Sequence, residues 1–85
     1  MTQRWRIHRR REVTAYLIEL REEGEDLRRA IASLQFGLPP DATQTTPNTY
    51  IWFEAQHWIV LVEDKDQRAI YVSLIEKAEE PPPEE

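Results

Sequence analysis

A chain of 85 residues with a net charge of −5 and no cysteine has room for one domain, and neither disulfides nor thiolate zinc sites can staple it. The acidic balance argues against general nucleic-acid binding. The longest apolar run, Trp58 to Val62, falls far short of the ~20 residues of a membrane span.

Arg4-Trp5-Arg6-Ile7-His8 alternates polar and apolar side chains, the pattern of a short half-buried strand with Trp5 and Ile7 on one face. The period then changes. Val13, Tyr16, Leu17 and Leu20 sit at i, i+3, i+4 and i+7, the stripe of an amphipathic helix, and Gly24 is the expected stop. A second helix starts at once. Glu25 and Asp26 occupy its first turn, where negative charge suits the helix dipole, and Leu27, Ala30, Ile31 and Leu34 repeat the stripe. Phe36-Gly37-Leu38-Pro39-Pro40 ends it. Two helices joined so tightly predict a helical hairpin.

Residues 37–48 hold three prolines and several threonines and read as a loop. Thr49 to Glu54 is aromatic and β-branched, the composition of a strand. Ala55-Gln56 makes a turn, His57 to Glu63 a second strand, Asp64-Lys65-Asp66-Gln67 a four-residue hairpin loop, and Arg68 to Ile75 a third strand. The fold expected is α+β, in the order β-α-α-β-β-β. A helical hairpin packs on a mainly antiparallel four-stranded sheet. Residues 1–76 form a single domain, and 77–85 read as a disordered acidic tail of Glu and Pro. Ile51 and Phe53 are expected to face the helices. In the next strand either Trp58, Val60 and Val62 or Ile59 and Leu61 face inward. Both sets are apolar, so the second face of the sheet is covered by the tail, by the long loop or by a partner.

Few residues carry an obvious chemistry. His8 and His57 lie in different strands with no ligand motif around them, so no metal site is expected. Only Gly24 and Gly37 are present, which excludes a glycine-rich phosphate loop, and no cofactor is implied. His57 opens a strand beside a turn, where a histidine is usually at the surface. The strongest charge feature is "RWRIHRRR". Arg4, Arg6, Arg9, Arg10 and Arg11 meet no acid before Glu12, so they form either a phosphate- or partner-binding patch or a solvated strand edge. Tyr50 and Trp52 share a strand face, as a stacking platform or as a pair packed in a hydrophobic interface. Arg68 and Tyr71 are three apart and point to opposite faces.

The order of "REVTAYLIELREEG", "EDLRRAIASL" and "NTYIWFEAQHWIVLVEDKDQRAIYVSLIE" resembles the RelE/ParE family, the small toxins of bacterial type II toxin–antitoxin systems, over residues 4–76. The absence of cysteine and of a long apolar run makes a cytoplasmic protein, away from membranes, the expectation, and the resemblance implies that it binds a small antitoxin and acts on a ribosome-bound message or on gyrase. Ribonuclease members place Arg and Lys around the phosphate and use Tyr, His or Glu for proton transfer, which here implies Arg68, Lys65, His57 and Tyr71. The chain departs from the family at Trp58-Ile59, where Tyr-Arg is common, and at Glu76-Lys77-Ala78-Glu79, where many members carry His-Arg and a terminal Tyr. Those departures, with the acidic balance, leave open a non-catalytic interaction module or a homodimer.

Overall fold

The computed structural model describes residues 4–78. Strand β1 (Arg6–Arg9) leads directly into a helical run of 26 residues, Arg11 to Phe36. The run comprises α1 (Arg11–Leu20), a 3-10 turn (Arg21–Gly24), α2 (Glu25–Ala32) and a second 3-10 turn (Ser33–Phe36). Four strands follow: β2 (Thr43–Thr46), β3 (Thr49–Glu54), β4 (His57–Asp64) and β5 (Ala69–Lys77). The sheet order is β1-β5-β4-β3-β2, antiparallel throughout except that β1 runs parallel to β5. The chain is α+β, as its patterns predict, but the sheet is mixed and five-stranded instead of mainly antiparallel and four-stranded.

Two local causes account for the difference. The segment read as a loop contains β2, whose Thr43, Gln44 and Thr46 pair with β3 around a bulge. All four of its residues are exposed, so it has no apolar alternation to announce it. The second is the place of β1. Strands β3 and β4 are flanked on both sides, and β1 joins the outer edge of β5, in parallel.

The expected hairpin of two separate helices is instead one helical run interrupted at Arg21. That residue has φ 54 and ψ −127, a conformation that costs a side-chain-bearing residue ~1–3 kcal/mol. Gly24, expected to supply the left-handed stop, has φ −89. It is needed for space: a Cβ there would lie 2.8 Å from Arg28 Nη1 and 2.9 Å from Leu20 Cβ. Arg28 reaches back, donating from Nη1 to the Leu17 carbonyl at 2.8 Å and from Nη2 to that of Arg21. Carbonyls at the end of α1, which lack helical partners, are thereby satisfied.

The core lies between the helical run and one face of the sheet. Val13, Leu17, Leu27, Ile31 and Leu34 meet Trp52, Ile59, Leu61, Ile70 and Val72. The two-residue turn at Ala55-Gln56 sets this choice of face by pairing Glu54 with His57, which places Trp52 against Ile59 and Tyr50 against Leu61. Ile51 and Phe53, expected to face the helices, therefore point to the outer face with Trp58, Val60 and Val62. Trp52 is 3% exposed and Tyr50 packs against the core, so this pair is a core element and not an open stacking platform. On β5 the bulge at Ser73 resets the alternation: Val72 opposes Leu61, yet Leu74 opposes Val60. Leu74 is turned outward and Ile75 is kept against Ile59.

Strand β5 extends through Lys77, and the Ala78 amide donates to the Gln56 carbonyl at 2.9 Å. The start of the expected tail thus belongs to the end of the sheet, and residues 79–85 lie outside the described residues. Among the described residues no helix is long and apolar enough to cross a membrane.

Candidate functional site: a basic cleft beside a histidine–tyrosine stack

Parallel pairing of β1 with β5 brings the first arginines to the start of β5. The Arg6 amide donates to the Arg68 carbonyl at 2.8 Å, and Arg6 is in register with Ala69. Arg68 belongs to the turn before β5 and not to the strand itself; its φ of 47 turns the chain into β5. Its guanidinium lies over the Trp5 ring, 5.0 Å from the centroid, and that of Arg4 lies over Phe36 at 5.7 Å. Trp5 is fixed by its amide, which donates to the Gln35 carbonyl at 2.8 Å. Aromatic faces of this kind hold guanidinium planes by cation–π attraction.

Arg4, Arg6 and Arg68 line an open cleft of about 240 Å³ together with Asp66 and Gln67. Three guanidiniums against one carboxylate favour an anion, and the forked donors of arginine match phosphate oxygens. A larger cavity of about 490 Å³ adjoins it and holds Lys65 and Tyr71, but Glu63, Asp64 and Asp66 also line it. Glu63 is 8% exposed, and its Oε1 has no hydrogen-bond partner among the described residues. Acids outnumber cations there, so of the two the smaller cleft is the better suited to an anion.

His8 stands two residues beyond Arg6 on the outer face of β1. It stacks on Tyr71, its register partner on β5, with ring centroids 4.8 Å apart and planes 19° apart. Both rings are exposed. An imidazole stacked beside a phenol is a usable pair for proton transfer. The expected set therefore divides. Arg68, Lys65 and Tyr71 gather at one end of the sheet, Arg68 in the basic cleft and the other two in its acidic neighbour. His57 sits at the opposite end of β4.

His57 is 7% exposed and not at the surface. Its Nδ1 lies 2.6 Å from the Ala55 carbonyl and its Nε2 2.7 Å from the Tyr16 hydroxyl. A carbonyl only accepts, so Nδ1 carries the proton; in the neutral ring Nε2 then accepts from Tyr16. The Tyr16 ring meets the imidazole edge-on, at 5.5 Å and 68°. The histidine thus ties α1 to β4 and braces the β3–β4 turn, where Ala55 and Gln56 have φ 53 and 60. Turns of this type prefer Asn-Gly, and this pair lacks both. The geometry gives His57 a bracing position between α1 and β4.

Burial, and then the negative charge of Glu19, raise the Tyr16 phenol above its ordinary 10.0. The unfolded chain gives up this proton at a lower pH than the folded one. The associated stability is therefore complete below about pH 10 and is lost as pH climbs through the folded value. An absorbance titration should show one of the three tyrosines ionising late, and Tyr16→Phe should remove that late step. A titration unchanged by the substitution would contradict the burial of this phenol.

The remaining arginines do not form one patch. Arg9 points to the helix side, in a cleft of about 230 Å³ with Ile7, Arg28, Ile31 and Ala32. Arg10 is the residue before α1 and pairs with Glu12 at 3.8 Å in solvent, and Arg11 opens the helix, exposed. Among the described residues no group of His, Asp and Glu side chains is placed to hold a metal ion. His8 is the site residue that sequence reading passed over. Alternation put it on the same face as Arg6, but nothing local announced Tyr71 as its neighbour. Comparison with known families, curated proteins and solved structures finds no match.

Proposed function

We propose that the chain is a RelE/ParE-like toxin-fold protein of a toxin–antitoxin module, held by a small antitoxin and acting on messenger RNA at the ribosome. One observation carries this reading: Arg4, Arg6 and Arg68 converge on one cleft, beside the His8–Tyr71 stack, at the same end of the sheet. The corresponding chemistry is attack of a ribose 2′-hydroxyl on the adjacent phosphorus. His8 takes the hydroxyl proton, the arginines stabilise the charge on the phosphoryl oxygens, and the 5′-oxygen leaves with a proton from Tyr71. A 2′,3′-cyclic phosphate and a free 5′-hydroxyl result. Lys65 and His57 have no part in this version.

Arg4 and Arg6 are exposed, so replacing both by alanine should leave the fold intact. The salt dependence of binding to single-stranded RNA should then fall by about 0.7 per arginine in log–log slope. His8→Ala should bind RNA as before and no longer produce new ends in primer extension on ribosome-bound message. Well-folded wild-type protein that neither cuts message nor arrests growth would sink the proposal.

A second reading, an interaction module without catalysis, is favoured by the apolar outer face of the sheet. It predicts one stable complex and intact transcripts in the same assay.

A further inference from the structure

We infer that the outer face of the sheet is a contact between two copies of this chain, related by a two-fold axis that lies in the contact plane across the strands. Ile51, Phe53, Trp58, Val60, Val62 and Leu74 occupy this face, with Leu74 51% exposed. The helical run covers only the other face. Leu38 and Ala42 of the connecting segment pack against the core and are not available to cover it. The seven residues after Ala78 are four glutamates and three prolines, with none of the aromatic or branched side chains found on this face.

Two features select a second copy. The first is extent. The five strands are four, four, six, eight and nine residues long, which at ~3.3 Å per residue and ~4.8 Å between strands makes a face of roughly 500 Å². Two such faces bury about 1,000 Å², the size of a weak, reversible contact. The second is charge. Arg6 is exposed on this face at one end of β1, and Glu76 is exposed on the same face at the far end of β5, opposite Trp58. The two-fold axis reverses one copy end for end, so Arg6 of each meets Glu76 of the other, and Val60 and Leu74 meet Val62 and Tyr71 at the centre. Such a face complements itself, as an isologous contact requires. Near-aligned packing of two sheets gives the side chains room to interdigitate.

This inference does not depend on RNA chemistry. If the function proposed above also holds, Arg6 serves either the second copy or phosphate, and the dimer and the RNA-bound form exclude each other.

Sedimentation velocity of the full chain without RNA, from micromolar to millimolar concentration, is the test. A monomer–dimer equilibrium is expected. Leu74→Glu places a charge in the apolar centre and should raise the dimer Kd about tenfold or more. Arg6→Glu and Glu76→Arg should each weaken the dimer about fivefold, and the two together should restore it. Far-UV circular dichroism checks that each variant is folded. A chain that stays monomeric at millimolar concentration overturns the inference. So does a dimer indifferent to Leu74→Glu, a double swap no tighter than its single parents, or a different protein occupying this face while the chain itself stays monomeric.

Discussion

Truncating Leu61 to alanine is expected to lower the unfolding free energy by about 3–4 kcal/mol, near the middle of the range for fully buried leucines. Leu61 is 0% exposed and lies at the centre of the sheet, opposite Tyr50 on one side and Val72 on the other. Removing its three terminal carbons leaves a cavity between sheet and helices that rigid neighbours cannot close. A domain of this length has only about 4–13 kcal/mol in total, so at the bottom of that range the variant would be largely unfolded. The informative control is the adjacent Val60→Ala. Val60 is half-buried on the outer face and should cost about 1 kcal/mol or less in the monomer. Urea denaturation at low protein concentration measures both. If Val60→Ala proved the more damaging, the assignment of inner and outer faces would be reversed.

The second large effect is expected at His57. Replacing it by alanine removes two part-buried hydrogen bonds, to the Ala55 carbonyl and the Tyr16 hydroxyl, and the packing of a ring that is 7% exposed. Part-buried groups can turn to water, so each lost bond is put at the lower end of about 1–3 kcal/mol and the total at about 2 kcal/mol. Tyr16→Phe keeps the ring packing and removes only the donor, at about 1 kcal/mol. In a double-mutant cycle the two substitutions should be coupled by about 1 kcal/mol, because they share one bond. Strict additivity would mean that the bond contributes nothing. A histidine that served catalysis would show the opposite pattern, with cutting abolished and stability unchanged.

Much of the fold was legible because its signals are local. The apolar stripes at Val13, Tyr16, Leu17, Leu20 and at Leu27, Ala30, Ile31, Leu34 placed the helices, and the aromatic and branched runs after Thr49 placed three strands. Strand β2 was illegible because Thr43 to Thr46 are all exposed and edge a sheet without entering its core. Gly24 misled for a related reason. Glycine marks either a left-handed conformation or a close approach, and only the packing of Leu20 and Arg28 shows that here it is the second. The candidate site was half legible. Alternation put Arg4, Arg6 and His8 together, and Arg68 and Tyr71 were singled out, but the two groups are some sixty residues apart along the chain.

By itself the sequence determined what depends on neighbours within one turn or one strand: the two helical stripes, the meander, the basic beginning and the acidic end. Tertiary structure alone decided which strand β1 joins, which of two equally apolar faces looks inward, and the burial of His57. Those outcomes follow from edge availability, from the register set at Ala55-Gln56 and Ser73, and from a hydrogen bond across 41 residues. None of these leaves a periodic trace, because each is a choice among arrangements that the local pattern permits equally.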